Sequence, residues 1–597
     1  MHPFSRRAFL LRAGTVGAAA LASTLWTPSY RRALARSLAI SVNPAGTTLE
    51  RSLVYSGEGY LRISYGPGWP IVVREELAPA SAGREDRRVA LASVVHLTDL
   101  HLLDAESPAR VDFWDRYSDG TSNSFIPFQS AFRAQETLSN QVGEAMIQQI
   151  NAIAAGPVTG RPFDCAVSTG DNIDNQQVNE TDWFIRLLDG GELTPTSGDL
   201  TRYEGVQDND LATYDSHFWH PDPPPSPRDP DFYKRYYGFP EYPGLLDASG
   251  VPFVASGLDV PWYSTYGNHD GLVQGNVKGN PAIDAIATGR LKPTALPPGA
   301  STGDLENAFA NGDPTLFVAL LSGPARVVTA DPDRRSLSTG EWVAKHLAST
   351  GGPGPSGHGY TEEDAANGDA HFAFQIAEGV LGISLDTCNW AYADGSVGEI
   401  QMAWAEQRIQ EVSSRYFDSA GTEVTSDVAD QLVILFSHHG PRDLTSPVPN
   451  PMRPTEARLL QPEILEILHR YPNVIAWMNG HSHRNLITPQ ADPTGLTGGF
   501  WDIATAAHID FPEHARLVEV VDNRDGTLSI FATLIDHAAT LATPPPGTPA
   551  ASFGPEALAA LGREFAYNDP QVGIEDGAEG RPRDRNVELL LPDPRKR

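Results

Sequence analysis

Cysteine is nearly absent: of 597 residues only Cys165 and Cys388 are cysteines, so a disulfide framework is excluded and a single bridge is the most that could form. Cys165 lies within the apolar run FDCAV, which favours a buried free thiol. Long apolar runs are also missing. The longest, Ala13 to Trp26, has 14 residues, short of the ~20 that span a bilayer. Positive charge is scarce as well: 44 Lys and Arg stand against 75 Asp and Glu, a net of −31, which sets a repulsive field against polyanions such as long nucleic acids. No internal repeat is visible.

What is present describes a globular chain. At 40% hydrophobic it can bury a large core, and its 54 Gly and 49 Pro point to long ordered loops around that core. The N-terminus reads as an address: Arg6-Arg7 in the context S-R-R-x-F-L, then small apolar residues, then Ala33-Leu34-Ala35 as a cleavage candidate. This resembles a bacterial twin-arginine signal over residues 1–35. It implies recognition by the twin-arginine export machinery, an extracellular, wall-associated or periplasmic destination, and no stable membrane insertion after cleavage. Such export carries folded proteins, often with a cofactor already loaded, which hints at a metal. Loss of that leader, which holds five of the basic residues and none of the acidic ones, moves the net charge from −31 to −36.

Residues 36–88 include GYLRISYGPGWPIVVREEL, read as a hairpin around Gly66-Pro67-Gly68 and as an N-terminal extension. From Val89, VALASVVHLTDLH is a continuous apolar run of the kind found in a strand buried on both faces. A helical pattern over Phe132 to Ala154 and a second buried run, FDCAVSTGD, complete a strand–helix–strand unit. Residues from about 175 to 260 are rich in Pro and aromatics without periodicity, and read as an ordered insertion near a site. DVPWYSTYGNHD, GVLGISLDT, DQLVILFSHHG and NVIAWMNGHSH supply further strands, with helices at Glu399 to Phe417 and within PEILEILHRY. ARLVEVVDNRDGTLSIFATLI reads as an antiparallel pair turning at Asp525-Gly526. Residues 89–542 are thus expected to form the main domain, and 543–597 a mostly irregular tail.

Five short polar clusters fall just after apolar runs: DLH at Asp99 to His101, GDNID at Gly170 to Asp174, GNHD at Gly267 to Asp270, SHHG at Ser437 to Gly440, and GHSH at Gly480 to His483. Ligands of open α/β sheets bind outside the C-terminal ends of the strands, so one rim could gather all five clusters. Asp99, His101, Asp171, Asn268, one of His438 and His439, His481 and His483 would then offer seven oxygen and nitrogen donors without a thiolate. That number suits two metals sharing a carboxylate. In D-x-H and H-x-H an extended backbone would place the outer side chains on one face. Singly each cluster is ambiguous, because GD is commonly a turn and GNHD a helix entrance.

As an ordered set, DxH, GDxxD, GNHD, HH and GHxH resemble the calcineurin-like metallophosphoesterases over roughly Val89 to Asp536. The resemblance implies an α/β fold in which helices flank two central mixed sheets in an αββα sandwich, carrying here a long loop-rich insertion. It further implies a phosphoric ester hydrolase acting on small phosphomonoesters or phosphodiesters with two Fe, Mn or Zn ions. Asp99, His101 and His483 would hold the first metal, Asn268, His438 and His481 the second, and Asp171 both. His269 would act beside the phosphate, on the leaving group, and Asp270 would either orient His269 or cap a helix. His438, first after its strand, is preferred over His439 as the ligand.

Purple acid phosphatases carry a tyrosine ligand three residues after the bridging aspartate. Asp174 occupies that place, which speaks against that branch. Arg110, Arg442 and Arg484 lie near the clusters in sequence, where contact with phosphate and ion pairing at the surface are both open. A ligand-binding or receptor module that kept such a fold without turnover is the alternative function; the intact donor set and His269 weigh against it.

Overall fold

The computed structural model describes residues 42–57, 59–118, 131–304, 319–320, 322–391, 393–570 and 577–596. The expected export leader lies outside them. The fold is mixed α/β, built on two large mixed sheets. The first sheet contains β3 (Val72–Arg74), β4 (Val89–Leu97), β5 (Cys165–Ser168) and β6 (Trp262–Ser264), together with three strands from near the end of the chain. These are β13 (His514–Asp522), β14 (Thr527–Asp536) and β15 (Val587–Pro592), and the sheet order is β3-β15-β14-β13-β4-β5-β6. The second sheet contains β7 (Phe372–Ala377), β8 (Val380–Leu385), β9 (Leu432–Ser437), β10 (Val474–Asn479), β11 (Leu486–Gln490) and β12 (Phe500–Ala504), in the order β7-β8-β9-β10-β12-β11.

The apolar runs become the parallel inner strands. β4 pairs in parallel with β5, and β5 with β6; β8, β9, β10 and β12 are parallel in the other sheet. Every residue of β9 and β10 is buried, which is why LVILFS and VIAWMN show no polar alternation. The expected crossovers are present as α1 (Ser139–Ile153) between β4 and β5 and α5 (Gln461–Leu468) between β9 and β10. Among the helices that precede α5 are α2 (Val178–Asp189), α3 (Thr339–Ala348) and α4 (Glu399–Gln410). Side chains of both sheets, among them Val94, Val167, Ile434 and Trp501, join one buried cluster. Cys165 and Cys388 are buried free thiols. No helix among the described residues is long and apolar enough to cross a membrane.

Three expectations change. The N-terminal hairpin pairs β1 (Arg51–Ser56) with β2 (Arg62–Pro67), so the chain turns before Gly66-Pro67-Gly68 instead of around it. Gly68 is small for another reason: a β-carbon there would meet the Leu49 carbonyl oxygen at 2.0 Å. The stretch beyond Thr543 provides α6 (Pro555–Asn568) and β15, an inner strand between β3 and β14, so the expected irregular tail holds structural core. The aromatics of the insertion also pack as core. The rings of Trp219, Phe239 and Tyr242 lie 4.6, 6.1 and 6.1 Å from that of Phe565 in α6, within one buried cluster.

Candidate metal centre

All five polar clusters follow strand ends that face one another across the two sheets. Asp99 and His101 follow β4, Asp171 follows β5, Asn268 follows β6, His438 follows β9, and His481 and His483 follow β10. The backbone there is not extended as expected of D-x-H and H-x-H. Asp99, His101, Asp171, His481 and His483 all take φ between 44° and 63°, the left-handed region that side chains rarely adopt. Five such residues among seven candidate ligands mark a place where packing holds the chain against its local preference. The motif glycines permit the crowding. A β-carbon on Gly267 would meet Asp171 N at 2.1 Å, and one on Gly480 would meet Oγ1 of Thr98 at 1.9 Å.

The side chains converge in two groups around Asp171. On one side, His101 Nε2 lies 3.3 Å from His483 Nε2 and 3.7 Å from Asp171 Oδ2, and His483 Nε2 lies 3.3 Å from Asp99 Oδ1. On the other, His438 Nε2 lies 3.1 Å from Asp171 Oδ2 and 3.2 Å from His481 Nδ1. Two sets of three of these residues, Asp99-His101-His483 and Asp99-Asp171-His438, have donor atoms within 4.8 Å of one another, and two more sets are completed by His269 and by His439. The outward nitrogens are engaged. His101 Nδ1 donates to Asp174 Oδ1 at 2.9 Å, His483 Nδ1 to Asp510 Oδ2 at 2.6 Å, and His438 Nδ1 to the Thr169 carbonyl at 3.0 Å. Those bonds fix the tautomer and turn each Nε2 lone pair inward, as metal-binding imidazoles are held.

Asn268 supplies the sharpest test of fit. Its Nδ2 donates to the Gly275 carbonyl at 3.2 Å, while its buried Oδ1 has no hydrogen-bond partner among the described residues. A buried amide oxygen left unpaired is costly, and a cation would satisfy it. Electrostatics agree. Burial would push His438 and His483 down, yet Asp171 beside the first and Asp99 with Asp510 beside the second lift them to about 9 and about 10. Burial acts to raise Asp99, but His483 holds it at about 2. Cationic partners are what these carboxylates demand, and an all-oxygen-and-nitrogen set suits Fe, Mn or Zn.

His439 is excluded as an alternative to His438 by its hydrogen bonds. Although it lies close enough to group with His438 and His481, its Nδ1 accepts from Thr387 Oγ1 at 2.9 Å and its Nε2 donates to the Ala393 carbonyl at 2.8 Å, leaving no lone pair for a metal.

His269 sits at the rim, with Nε2 3.9 Å from Asp171 Oδ2. Its orienting partner is Asp174, whose Oδ1 accepts from Nδ1 at 2.9 Å. Asp270 does not orient His269. Its Oδ2 accepts from Gly267 N at 2.7 Å and from Asn172 Nδ2 at 3.0 Å, so it caps the short helix Asn268–Gly271 and ties it to the GDNID loop. Arg110 is fully buried and pairs with Asp174 and Glu136, so neither surface pairing nor phosphate contact describes it. Arg133 likewise backs Asp510, its Nε 2.6 Å from Oδ1. Arg442 and Arg484 are exposed. Asp510 and Arg133 escaped the sequence reading, although Asp510 follows the apolar run IATAAHI in the manner of the other clusters.

No family model matches the chain, and no curated protein matches it. Among solved structures it is similar to a purple acid phosphatase isolated from seeds of yellow lupin (Lupinus luteus), at 11% identity and a TM-score of 0.26. That similarity covers 79% of this chain and 54% of the lupin chain, so this chain spans about half the length of the structure it matches.

Proposed function

We propose that this chain is an exported dinuclear-metal phosphoesterase of the calcineurin-like kind, hydrolysing small phosphomonoesters or phosphodiesters. The observation that carries the reading is the clustering of donor atoms from Asp99, His101, Asp171, His438, His481 and His483, beside Asn268, whose buried Oδ1 has no hydrogen-bond partner among the described residues. Asp99, His101 and His483 would hold one metal, Asn268, His438 and His481 the other, and Asp171 both. The two large sheets would form the centre of an αββα domain, and residues 1–35 the twin-arginine leader.

Two metal ions bound there would neutralise charge on the phosphoryl group and acidify a water near it. The chain's own residues do the remainder. Asp174, backed by Arg110, holds His269 by its Nδ1 and leaves Nε2 free to deliver a proton to the departing oxygen. Asn268 uses one amide hydrogen on Gly275 and has a second to give a phosphoryl oxygen. With the net charge of −31, small esters should be preferred to long nucleic acids, and duplex DNA cleaved faster than any small ester at low salt would count against the reading.

The test is elemental analysis joined to a panel of phosphoesters, using protein purified without chelator. Two metals per chain, activity lost to chelator and regained with Mn, Fe or Zn are expected. Full activity with one metal or none would sink the proposal, and two tightly bound metals without turnover on any ester would favour the receptor alternative.

A further inference from the structure

A cavity of about 610 Å³ is lined among others by Gln176, Lys278, Trp390, Met452 and Arg458, and Gln176 ties it to the centre by donating its backbone amide to the His269 carbonyl at 3.1 Å. Two loops that reach the cavity, through Lys278 and Trp390, also pack against His269 and against His439, the neighbour of His438. The first runs from Leu272 to Lys278. It is closed on itself by the Val273–Val277 bridge and pressed so close that a β-carbon on Gly275 would meet His269 Cδ2 at 2.3 Å. The second carries Trp390 and returns along His439: Ala393 takes the His439 Nε2 proton, and a β-carbon on Gly395 would meet that ring at 2.5 Å. Where the loops meet, Lys278 Nζ stands 5.0 Å over the Trp390 ring and 3.0 Å from Met452 Sδ.

The charges lining the cavity are otherwise engaged. Arg335 pairs with Glu341 at 3.0 Å, and Arg453 pairs with Asp369. Arg458 donates to Ser396 and faces Asp386 and Glu456. Asp284 accepts from both the amide and the hydroxyl of Ser336, at 2.8 and 2.6 Å. Lys278 differs from the other cations: among the described residues no carboxylate pairs with it, and an aromatic face with a thioether is what it has instead. The Trp390 face favours the ammonium without neutralising it, so its charge remains to be answered by a ligand.

We infer that this cavity receives the alcohol portion of the substrate and that Lys278 binds an anionic group on it, so the preferred esters carry a second anion, a carboxylate or another phosphate, beyond the phosphate that is hydrolysed. The inference rests on the phosphoesterase reading and deepens it. It also accounts for a cavity cation without a carboxylate partner among the described residues, in a chain whose net charge of −31 would otherwise turn such esters away.

The test compares 4-carboxyphenyl phosphate with its neutral isostere, 4-carbamoylphenyl phosphate, on metal-loaded protein. Wild type should favour the carboxylate in kcat/KM on the order of tenfold, the worth of one well-placed charge contact. In Lys278→Gln that ratio should fall to about one through KM, and Lys278→Arg should restore most of it. A wild-type enzyme that hydrolyses both esters equally, or a Lys278→Gln variant that keeps the preference, overturns the inference and leaves the phosphoesterase reading standing. Hydrolysis of neither compound, as the monoester or as its methyl phosphodiester, overturns that reading, and this inference with it.

Discussion

His269 Nδ1 lies 2.9 Å from Oδ1 of Asp174, and the same oxygen takes the Nδ1 proton of His101 at 2.9 Å. One carboxylate thus steadies a candidate metal ligand and a candidate acid together. Asp174→Asn should weaken metal binding roughly 10- to 100-fold and slow turnover as well, since orienting partners of ligands carry effects of that order. Metal titration alongside kcat measures both. Unchanged values would reduce Asp174 to a partner for Arg110.

If His269 is an acid and not a ligand, His269→Gln should keep both metals while slowing hydrolysis by on the order of a hundredfold. The deficit should be far larger for alkyl esters than for nitrophenyl esters, whose leaving group departs without a proton. A variant short of one metal, or equally impaired on both ester types, would contradict the assignment.

The hydrogen bonds of His438 and His439 predict opposite outcomes for neighbouring residues. His438→Ala and Asn268→Ala should each lose one metal, whereas His439→Gln should retain two, because both His439 nitrogens are already engaged by Thr387 and Ala393. Elemental analysis of the three variants decides it. The iron-loaded protein should show no tyrosinate charge-transfer band, since Asp174 stands in the tyrosine's place, and a purple protein would refute this.

Phe565→Ala should cost about 3–5 kcal/mol in a urea titration, because it opens a void beneath Trp219, Phe239 and Tyr242. At temperatures where the variant stays folded, kcat/KM should be unaffected. A selective loss of activity without loss of stability would return the insertion aromatics to the substrate.

His346 is buried on α3, donating from Nδ1 to the Trp342 carbonyl at 2.9 Å while Nε2 accepts from Ser264 at 2.8 Å, a pairing that suits the neutral ring. Burial pushes its pKa down from 6.5 to about 3. The depressed value means that this stability is complete above the unfolded pKa and is lost as pH falls from about 6.5 toward 3, at about 1.4 kcal/mol per unit. His346→Gln should flatten the decline in unfolding free energy between pH 6.5 and 5 by close to that slope. An equal slope in both proteins would show that His346 does not titrate on unfolding.

The sequence revealed the strand-end clusters because each is local: an apolar run, a glycine, then donors. It could not reveal what stands behind them. Asp510 reaches His483 across 27 positions and Arg110 reaches Asp174 across 64, and a buried ion pair leaves no periodicity in either partner. Gly66-Pro67-Gly68 has the pattern of a turn, whereas Gly68 answers to crowding by Leu49; the pattern Gly-Pro-Gly cannot separate the two uses. The short run VELLLP, set among charged and proline-rich residues, carried too little signal to show that it is a sheet interior.

The placement of β15 makes assembly of the first sheet wait on the last of its strands in sequence. Val587–Pro592 follows every other strand of that sheet in sequence, yet lies between β3 and β14. A nascent chain halted before Val587 would already contain every candidate ligand. It would leave the long apolar β14 as an open edge and β3 without a neighbour, a surface ready to pair with other chains. Synthesis of Val587–Pro592, more than that of the motifs, is therefore the event that sets when this half of the site has a rigid floor, and a chaperone guarding β14 until then would be guarding the candidate metal centre indirectly.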